Sequence, residues 1–156
     1  TIPKIYNRIH VQNKNSASWD HTQQIPDIIV INLGTNDYYG ESQNMPLNDS
    51  VFVQTYIQFV ERLISYYPQA KIVCVNSVML NDVWPADKMC WTRLQMSIRN
   101  VQEYFDAKGN KHIYRFSFEP QSPPYGYGED YHPSLATHTK MAEELTTFIQ
   151  TVVYKK

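Results

Sequence analysis

The stretch that decides the fold of this chain is Pro26-Asp27-Ile28-Ile29-Val30-Ile31-Asn32-Leu33-Gly34-Thr35-Asn36-Asp37. Its four consecutive β-branched residues predict a strand over residues 28–33 that is covered on both faces of a sheet. Gly34 lets the backbone bend, and Asn36 and Asp37 follow where the strand would end. Ligands bind at the carboxyl edge of open α/β sheets, so this polar turn is a candidate site. The Asn36 amide suits a developing oxyanion, although a purely structural Asn-Asp turn has the same pattern.

Outward from this stretch, apolar residues recur at strand and helix spacings along the chain. The predicted strands cover residues 28–33, 71–76 and 112–118. The predicted helices cover residues 2–9, 49–66, 87–107 and 133–153. Strands that alternate with helices predict an α/β fold, with a parallel sheet and helices on both faces. Three strands make a thin sheet, and one edge would expose backbone groups and apolar surface unless a further strand covered it.

Length, charge and hydropathy exclude several classes of protein. At 156 residues the chain forms at most one domain, and 14 basic against 15 acidic residues give a formal net charge of −1. This balance provides no electrostatic basis for binding nucleic acid or an anionic membrane. No apolar run approaches the roughly 20 residues needed to cross a bilayer.

Two local features have competing interpretations. Cys74 and Cys90 match no zinc-binding spacing and are interpreted as small buried apolar side chains. Nothing in the sequence suggests a disulfide between them. Asn48-Asp49-Ser50 fits the N-glycosylation pattern but also a helix cap, and the cap is the preferred interpretation.

A second informative stretch is Gly126-Tyr127-Gly128-Glu129-Asp130-Tyr131-His132-Pro133-Ser134-Leu135-Ala136-Thr137-His138. His132 stands directly before Pro133, which can open a helix, and two carboxylates come just before it. A His held by such a loop and oriented by an acid suits a general base, although a polar surface loop has the same composition. His138 invites a metal interpretation, but no third ligand is placed to help.

Together the two stretches resemble the SGNH (GDSL-like) hydrolases. Gly34-Thr35-Asn36-Asp37 matches the family's GxND block, whose Asn belongs to the oxyanion hole. Glu129-Asp130-Tyr131-His132-Pro133 stands where the family has its catalytic acid and His. The chain is most similar to the carbohydrate esterases of family 2, which are acetylxylan esterase-like deacetylases. The resemblance implies a three-layer, flavodoxin-like fold, catalytic roles for Asn36 and His132, an oxyanion turn at Gly34, and no metal or organic cofactor.

The chain departs from the family pattern in two places. The family usually has Asp three residues before the His, where this chain has Glu129, and Asp130 lies only two residues before. Either carboxylate, or a backbone carbonyl instead, is a candidate to orient His132. The second departure is larger, because the sequence contains neither the family's Gly-Asp-Ser triplet nor a Gly-x-Ser-x-Gly elbow. Residues 1–156 therefore resemble the C-terminal two-thirds of a single SGNH domain, without its N-terminal strands.

Aromatic side chains close to both motifs are candidates for contact with a sugar ring. The preferred candidates are Tyr38, in the segment that follows the Asn turn, and Trp84, in a loop after the second predicted strand. Weaker candidates are Tyr39, Trp91, Tyr125 and Tyr127. Aromatic faces suit the C–H faces of pyranoses, although loop aromatics also simply cover a core. Ser77 ends that strand but lacks a Gly elbow, so the sequence favours cleft lining over nucleophilic attack.

The resulting hypothesis is an esterase that removes acetyl groups from a glycan or another small ester. His132 would activate a serine supplied by an N-terminal part of the same domain or by a companion chain. The resemblance implies an extracellular or secretory location. The alternative hypothesis is a non-catalytic SGNH-like subunit that has a structural or glycan-binding role in a larger assembly.

Overall fold

A computed structural model describes residues 1–40 and 47–155 of the chain. The strands are β1 (Ile28–Asn32), β2 (Lys71–Val75) and β3 (Ile113–Phe116). The α-helices are α1 (Ile2–Ile5), α2 (Thr35–Tyr39), α3 (Asp49–Tyr66), α4 (Cys90–Ala107) and α5 (Leu135–Phe148). Two 3₁₀ turns lie at Pro123–Tyr125 and Glu129–Tyr131, and a π-helical turn over Ile149–Val153 continues α5. The sequence also predicts a loop around residues 40–46, most of which lies outside the described residues.

The three strands form one parallel sheet in the order β1-β2-β3. Ile28 pairs with Lys71 and Asn32 with Val75, while Val75 also pairs with Phe116 on its other side. Parallel strands in this register end together, so the segments that follow β1, β2 and β3 all leave the same edge of the sheet. The predicted α/β class with a parallel sheet and intervening helices is confirmed.

Helices cover both faces of the sheet. On one face α3 and α4 pack against Ile31, Ile72 and Cys74, which are at most 5% exposed. On the other face α5 packs against β2 and β3, and the rings of Phe116 and Phe148 lie 5.0 Å apart. At about 25 cal/mol per Å² of apolar surface, such burial is the main stabilising contribution to the fold.

Strand β1 is not covered on both faces, contrary to the prediction from its apolar run. In the described part of the chain it pairs with β2 alone, so its other edge is free. Ile31 is buried against the α3 side, whereas Val30 is 43% exposed on the opposite face and Asn32 is exposed beside it. On that face the residues packed with α5 come mostly from β2 and β3, and Ile28 at the start of β1 also packs against this cluster. The expected uncovered edge and apolar surface are therefore present at β1.

Several element boundaries differ from the predictions because of local backbone geometry. Helix α4 begins at Cys90 rather than near residue 87, since Asp87 and Met89 have positive φ angles. Helix α5 begins after Pro133, with the Ser134 hydroxyl accepting a hydrogen bond from the Thr137 amide at 3.1 Å. The N-terminal helix ends four residues before its predicted end at residue 9.

The interpretations of the local motifs agree with the structure. Asn48 caps α3, since its Oδ1 accepts a hydrogen bond from the Val51 amide at 3.1 Å. Cys74 and Cys90 are both buried and are not joined by a disulfide. Burial raises the pKa of the Cys74 thiol to about 12, so this side chain stays neutral and unreactive.

A buried amide extends the pairing of β2 with β3 beyond the last strand residues. Asn76 is completely buried, and its Nδ2 donates to the Phe118 carbonyl at 2.8 Å while its Oδ1 accepts from the Phe118 amide at 2.7 Å. The side chain thus takes the place of a strand backbone. It holds the segment after β3 in register with the segment after β2, and both of these segments lead to the carboxyl edge.

We expect Asn76→Asp to destabilise the protein strongly. The substituted carboxylate can still accept a hydrogen bond from the Phe118 amide, but it cannot donate one to the Phe118 carbonyl. It also places a negative charge in the interior without a counter-ion. The expected loss is about 3–5 kcal/mol in the free energy of unfolding, measured by urea denaturation. Asn110→Asp is the matched control, because Asn110 is only partly buried and its Oδ1 accepts from the His112 amide at 2.9 Å, a bond that a carboxylate oxygen can also accept. Equal losses for both variants would contradict this role for Asn76.

Candidate active site

A cavity of about 740 Å³ lies at the carboxyl edge of the sheet. Its lining includes Asn36 from the segment after β1, Asn81 and Trp84 from the segment after β2, and Gln121 and His132 from the segment after β3. All three strand ends therefore contribute to one cavity. The two residues singled out by the separate sequence motifs, Asn36 and His132, are brought together here.

Gly34 determines how the chain turns from β1 into the cavity. Its φ angle is +115°, which side-chain-bearing residues rarely adopt, and helix α2 follows at once where the sequence predicted a turn. A Cβ atom at this position would lie 2.6 Å from Cδ1 of Leu94 and 3.2 Å from Cζ of Phe52. Close packing of the backbone against α4 and α3 thus requires glycine, and it directs the exposed Asn36 toward the cavity.

The structure corrects the proposed substrate contact of Tyr38. Its side chain is completely buried, its hydroxyl lies 2.7 Å from the Ser97 hydroxyl, and its ring packs edge-on against Phe52. Burial raises the pKa of Tyr38 well above its usual value, so the phenol remains neutral. Tyr38 is a core residue because a helix, not an extended turn, follows Gly34 and points this side chain inward.

The aromatic wall of the cavity is instead formed by Tyr39 and Trp84. Their ring centroids lie 5.7 Å apart at an interplanar angle of 46°, and the two side chains are 45% and 55% exposed. Asn81 holds the Trp84 loop, since its Oδ1 accepts from the amides of Val83 at 2.9 Å and Trp84 at 2.8 Å. Trp84 therefore lies at the site, and so does Tyr39, which the sequence ranked below Tyr38 because it did not reveal the short helix that separates the two side chains.

His132 is oriented by backbone groups of its own loop. Its Nδ1 lies 3.1 Å from the backbone carbonyl oxygen of Glu129, and its amide donates to the same carbonyl at 3.0 Å. The Gly128 amide donates to the His132 carbonyl at 2.7 Å and closes the loop. A carbonyl oxygen can only accept, so Nδ1 carries the proton in the neutral ring and the lone pair lies on Nε2.

The carboxylates before His132 do not make this contact. Both Glu129 and Asp130 are exposed, and the partner of the His132 ring is the Glu129 backbone rather than either side chain. Asp130 lines the cavity, and its φ angle is +51°. Of the three orienting groups that the sequence left open, the carbonyl is the one in contact with the imidazole.

The other two candidate residues, Ser77 and His138, are not placed as a nucleophile or as a metal ligand. Ser77 is 4% exposed, and its Oγ accepts from the Met79 amide at 3.1 Å, so it is a turn-forming side chain. His138 is exposed on α5. Within residues 1–40 and 47–155 no group of three or more metal-ligating side chains comes together. The helices of this part of the chain include none with the length and apolarity of a membrane span.

We expect Gly34→Ala to cost more stability than Gly109→Ala. Both glycines have positive φ angles, +115° and +77°, but the space beside Gly109 is open within 4 Å. Left-handed backbone costs about 1–2 kcal/mol in either variant. Overpacking against Leu94 and Phe52 adds about 1–3 kcal/mol at Gly34 alone. Urea denaturation measures both, and equal losses would show that the close packing at Gly34 is unimportant.

Comparison with known proteins places this geometry among ester hydrolases. The sequence profile of the GDSL-like lipase/acylhydrolase family matches residues 3–145. The cellulase/esterase CelE of Acetivibrio thermocellus is 34% identical over 137 residues, which are 87% of this chain and 16% of that protein. An acetylxylan esterase / glucomannan deacetylase of Cellvibrio japonicus is 28% identical over 152 residues, which are 97% of this chain and 38% of that protein.

A solved structure agrees with the sequence comparison. The family two carbohydrate esterase from Clostridium thermocellum, in complex with cellohexaose, superposes with a TM-score of 0.81 at 30% identity. The match covers 97% of this chain and 43% of that one. The chain thus spans between 16% and 43% of the length of these three relatives.

Proposed function

The chain belongs to the GDSL-like lipase/acylhydrolase family, and we propose that it forms the Asn- and His-bearing part of an esterase that deacetylates carbohydrate. The observation that carries this proposal is the shared cavity: Asn36 and His132 follow different strands yet line one space at the carboxyl edge. A general base and an amide donor facing the same space are what acyl transfer requires.

The chemistry follows from the tautomer of His132. With Nδ1–H donated to the Glu129 carbonyl, Nε2 takes the proton of a serine hydroxyl as its Oγ bonds to the ester carbonyl carbon. The Asn36 amide donates to the resulting oxyanion. As the C–O bond to the sugar breaks, His132 returns the proton to the leaving hydroxyl. Water, deprotonated by His132, then releases acetate and restores the serine.

We propose that the serine lies outside these 156 residues, on a strand that pairs with the free edge of β1. The sequence has no Gly-Asp-Ser triplet, and Ser77 is buried in a turn. Val30 is 43% exposed beside the free edge of β1. A second cavity of about 670 Å³, lined by Asn32, Gly34 and Asn36 among others, opens at the end of the same strand. A covering strand would bury this surface and end next to Asn36.

The proposed substrate is an acetylated polysaccharide. Tyr39 and Trp84 present exposed rings to the cavity, and such faces suit the apolar faces of pyranose rings. The relatives support this choice, since one is named an acetylxylan esterase / glucomannan deacetylase and another was solved with cellohexaose. A polymeric substrate also supports the proposal of an extracellular or secreted protein.

We expect His132→Ala to abolish deacetylation, whereas Glu129→Gln and Asp130→Asn reduce kcat less than tenfold. Loss of an orienting acid costs up to about ten-thousandfold where the His depends on it, but here a backbone carbonyl makes the contact. Rates of acetate release from acetylated xylan by the complete protein measure all three. His138→Ala is the control, because His138 is exposed on α5. A loss above a thousandfold in Glu129→Gln alone would identify that carboxylate as the orienting group.

We further expect residues 1–156 by themselves to release almost no acetate. No serine within residues 1–40 and 47–155 lines the His132 cavity, and removal of one triad member leaves only residual catalysis. The measurement compares the purified segment with the complete protein on an aryl acetate. Turnover that Ser77→Ala abolishes would move the nucleophile into this chain. A complete protein with no serine in a Gly-Asp-Ser setting would instead favour the non-catalytic, glycan-binding alternative.

A further inference from the structure

We propose that Gln121 is a positioning residue that fixes the His132 loop against the rest of the carboxyl edge. The predicted effect on catalysis rests on the proposed function, whereas the hydrogen bond itself is a feature of the structure. Gln121 Nε2 donates to the Tyr131 carbonyl at 2.6 Å, across ten residues of chain. Tyr131 directly precedes His132, so this bond acts on the peptide that carries the imidazole.

Gln121 is itself anchored to a different strand end. Its backbone amide donates to the Val78 carbonyl at 2.8 Å, and Val78 is 3% exposed in the segment after β2. One residue therefore joins the segment after β2, through its backbone, to the His loop, through its side chain. Gln121, Tyr131 and His132 all line the same cavity.

The remaining hydrogen bonds of the loop do not provide this anchor. The bonds from Gly128 to His132 and from His132 to Glu129 are internal to the loop, and they set the ring relative to the loop alone. The Ser134 hydroxyl donates to the Tyr125 carbonyl at 2.5 Å, which again joins two residues of the same segment. The loop needs a further contact with the body of the domain, and Gln121 supplies one.

Backbone geometry shows why such an anchor is needed. Asp130 and Tyr131 have φ angles of +51° and +59°, so two consecutive residues with side chains adopt left-handed conformations. Such conformations cost free energy and persist only where the surroundings determine them. The Gln121 amide holds the carbonyl of the second of these residues. Without it, the loop would be free to relax toward ordinary angles and carry His132 with it.

The environment of the Gln121 side-chain oxygen indicates that this glutamine does not serve to stabilise the fold. Gln121 Oε1 is buried and has no hydrogen-bond partner among the described residues. A buried unpaired oxygen is destabilising, so an apolar side chain of similar length would cost less in the folded state. The interaction that requires an amide at this position is the hydrogen bond that Nε2 donates to the Tyr131 carbonyl.

Gln95 provides a matched control elsewhere in the domain. Its Nε2 is also buried without a partner in the described part of the chain, and its Oε1 accepts from the Ser117 hydroxyl at 3.2 Å. Gln95 lies on α4, and within residues 1–40 and 47–155 it forms no hydrogen bond with the His loop. Substitution by methionine removes, at either position, a side-chain amide that has one unpaired atom. Only Gln121→Met also removes the hydrogen bond to the Tyr131 carbonyl.

The first test is kinetic and uses the complete protein with acetylated xylan. We expect Gln121→Met and Gln121→Glu to lower kcat at least tenfold with KM changed less than twofold, and Gln95→Met to leave both unchanged. Glu keeps the size of Gln but presents an acceptor to the Tyr131 carbonyl, so it separates loss of the donor from altered packing and serves if the Met variant fails to fold. Equal kcat for Gln121→Glu and the wild type, or an equal fall in Gln95→Met, would overturn the proposal.

The second test does not depend on activity. The imidazole ¹⁵N shifts of His132 and the solvent exchange of its Nδ1 proton are measured by NMR in the same variants. We expect both Gln121 variants to shift these resonances and to speed exchange at least tenfold, with Gln95→Met like the wild type. Unchanged His132 resonances in a folded Gln121 variant would refute the proposal. If the Gln121 variants show these effects but the wild-type protein has no esterase activity, the proposed function alone is refuted.

Discussion

Three parallel strands that end in register are the constraint on which the whole site depends. The pairs Asn32 with Val75 and Val75 with Phe116 set the level at which the chain leaves the sheet. Asn36 and His132 are 96 positions apart in sequence, and they share a cavity only because their strands point the same way. An antiparallel pairing would send one of the two segments to the opposite edge.

Side-chain amides continue the order of the sheet into the loops beyond it. Asn76 pairs with both backbone groups of Phe118, Asn81 receives two amides of the Trp84 loop, and Gln121 holds the Tyr131 carbonyl. Each amide has a donor and an acceptor in a fixed geometry, so it can replace a peptide unit where the backbone departs from regular structure. The edge is therefore held by directional bonds while the apolar core lies behind it.

Backbone groups orient the functional side chains of this site, a role that side chains have in many hydrolases. The Glu129 carbonyl fixes the tautomer of His132, and close packing of the Gly34 backbone against Leu94 directs Asn36. In both places the functional side chain is controlled by a main-chain conformation with little tolerance. Two consecutive positive φ angles at Asp130 and Tyr131, and one at Gly34, mark where that control is located.

The sequence by itself determined the α/β class, the helix bounds at residues 49–66 and the two motifs of the site, because hydrophobic periodicity and glycine-bounded polar turns are local properties. Only the tertiary structure decided that β1 is an edge strand with Val30 exposed, since coverage depends on which elements lie beside it. It likewise decided that Tyr39 rather than Tyr38 faces the cavity and that a carbonyl contacts the His132 ring. Neighbouring residues differ there only by their rotation about a short helix or a tight loop, and distant contacts set that rotation.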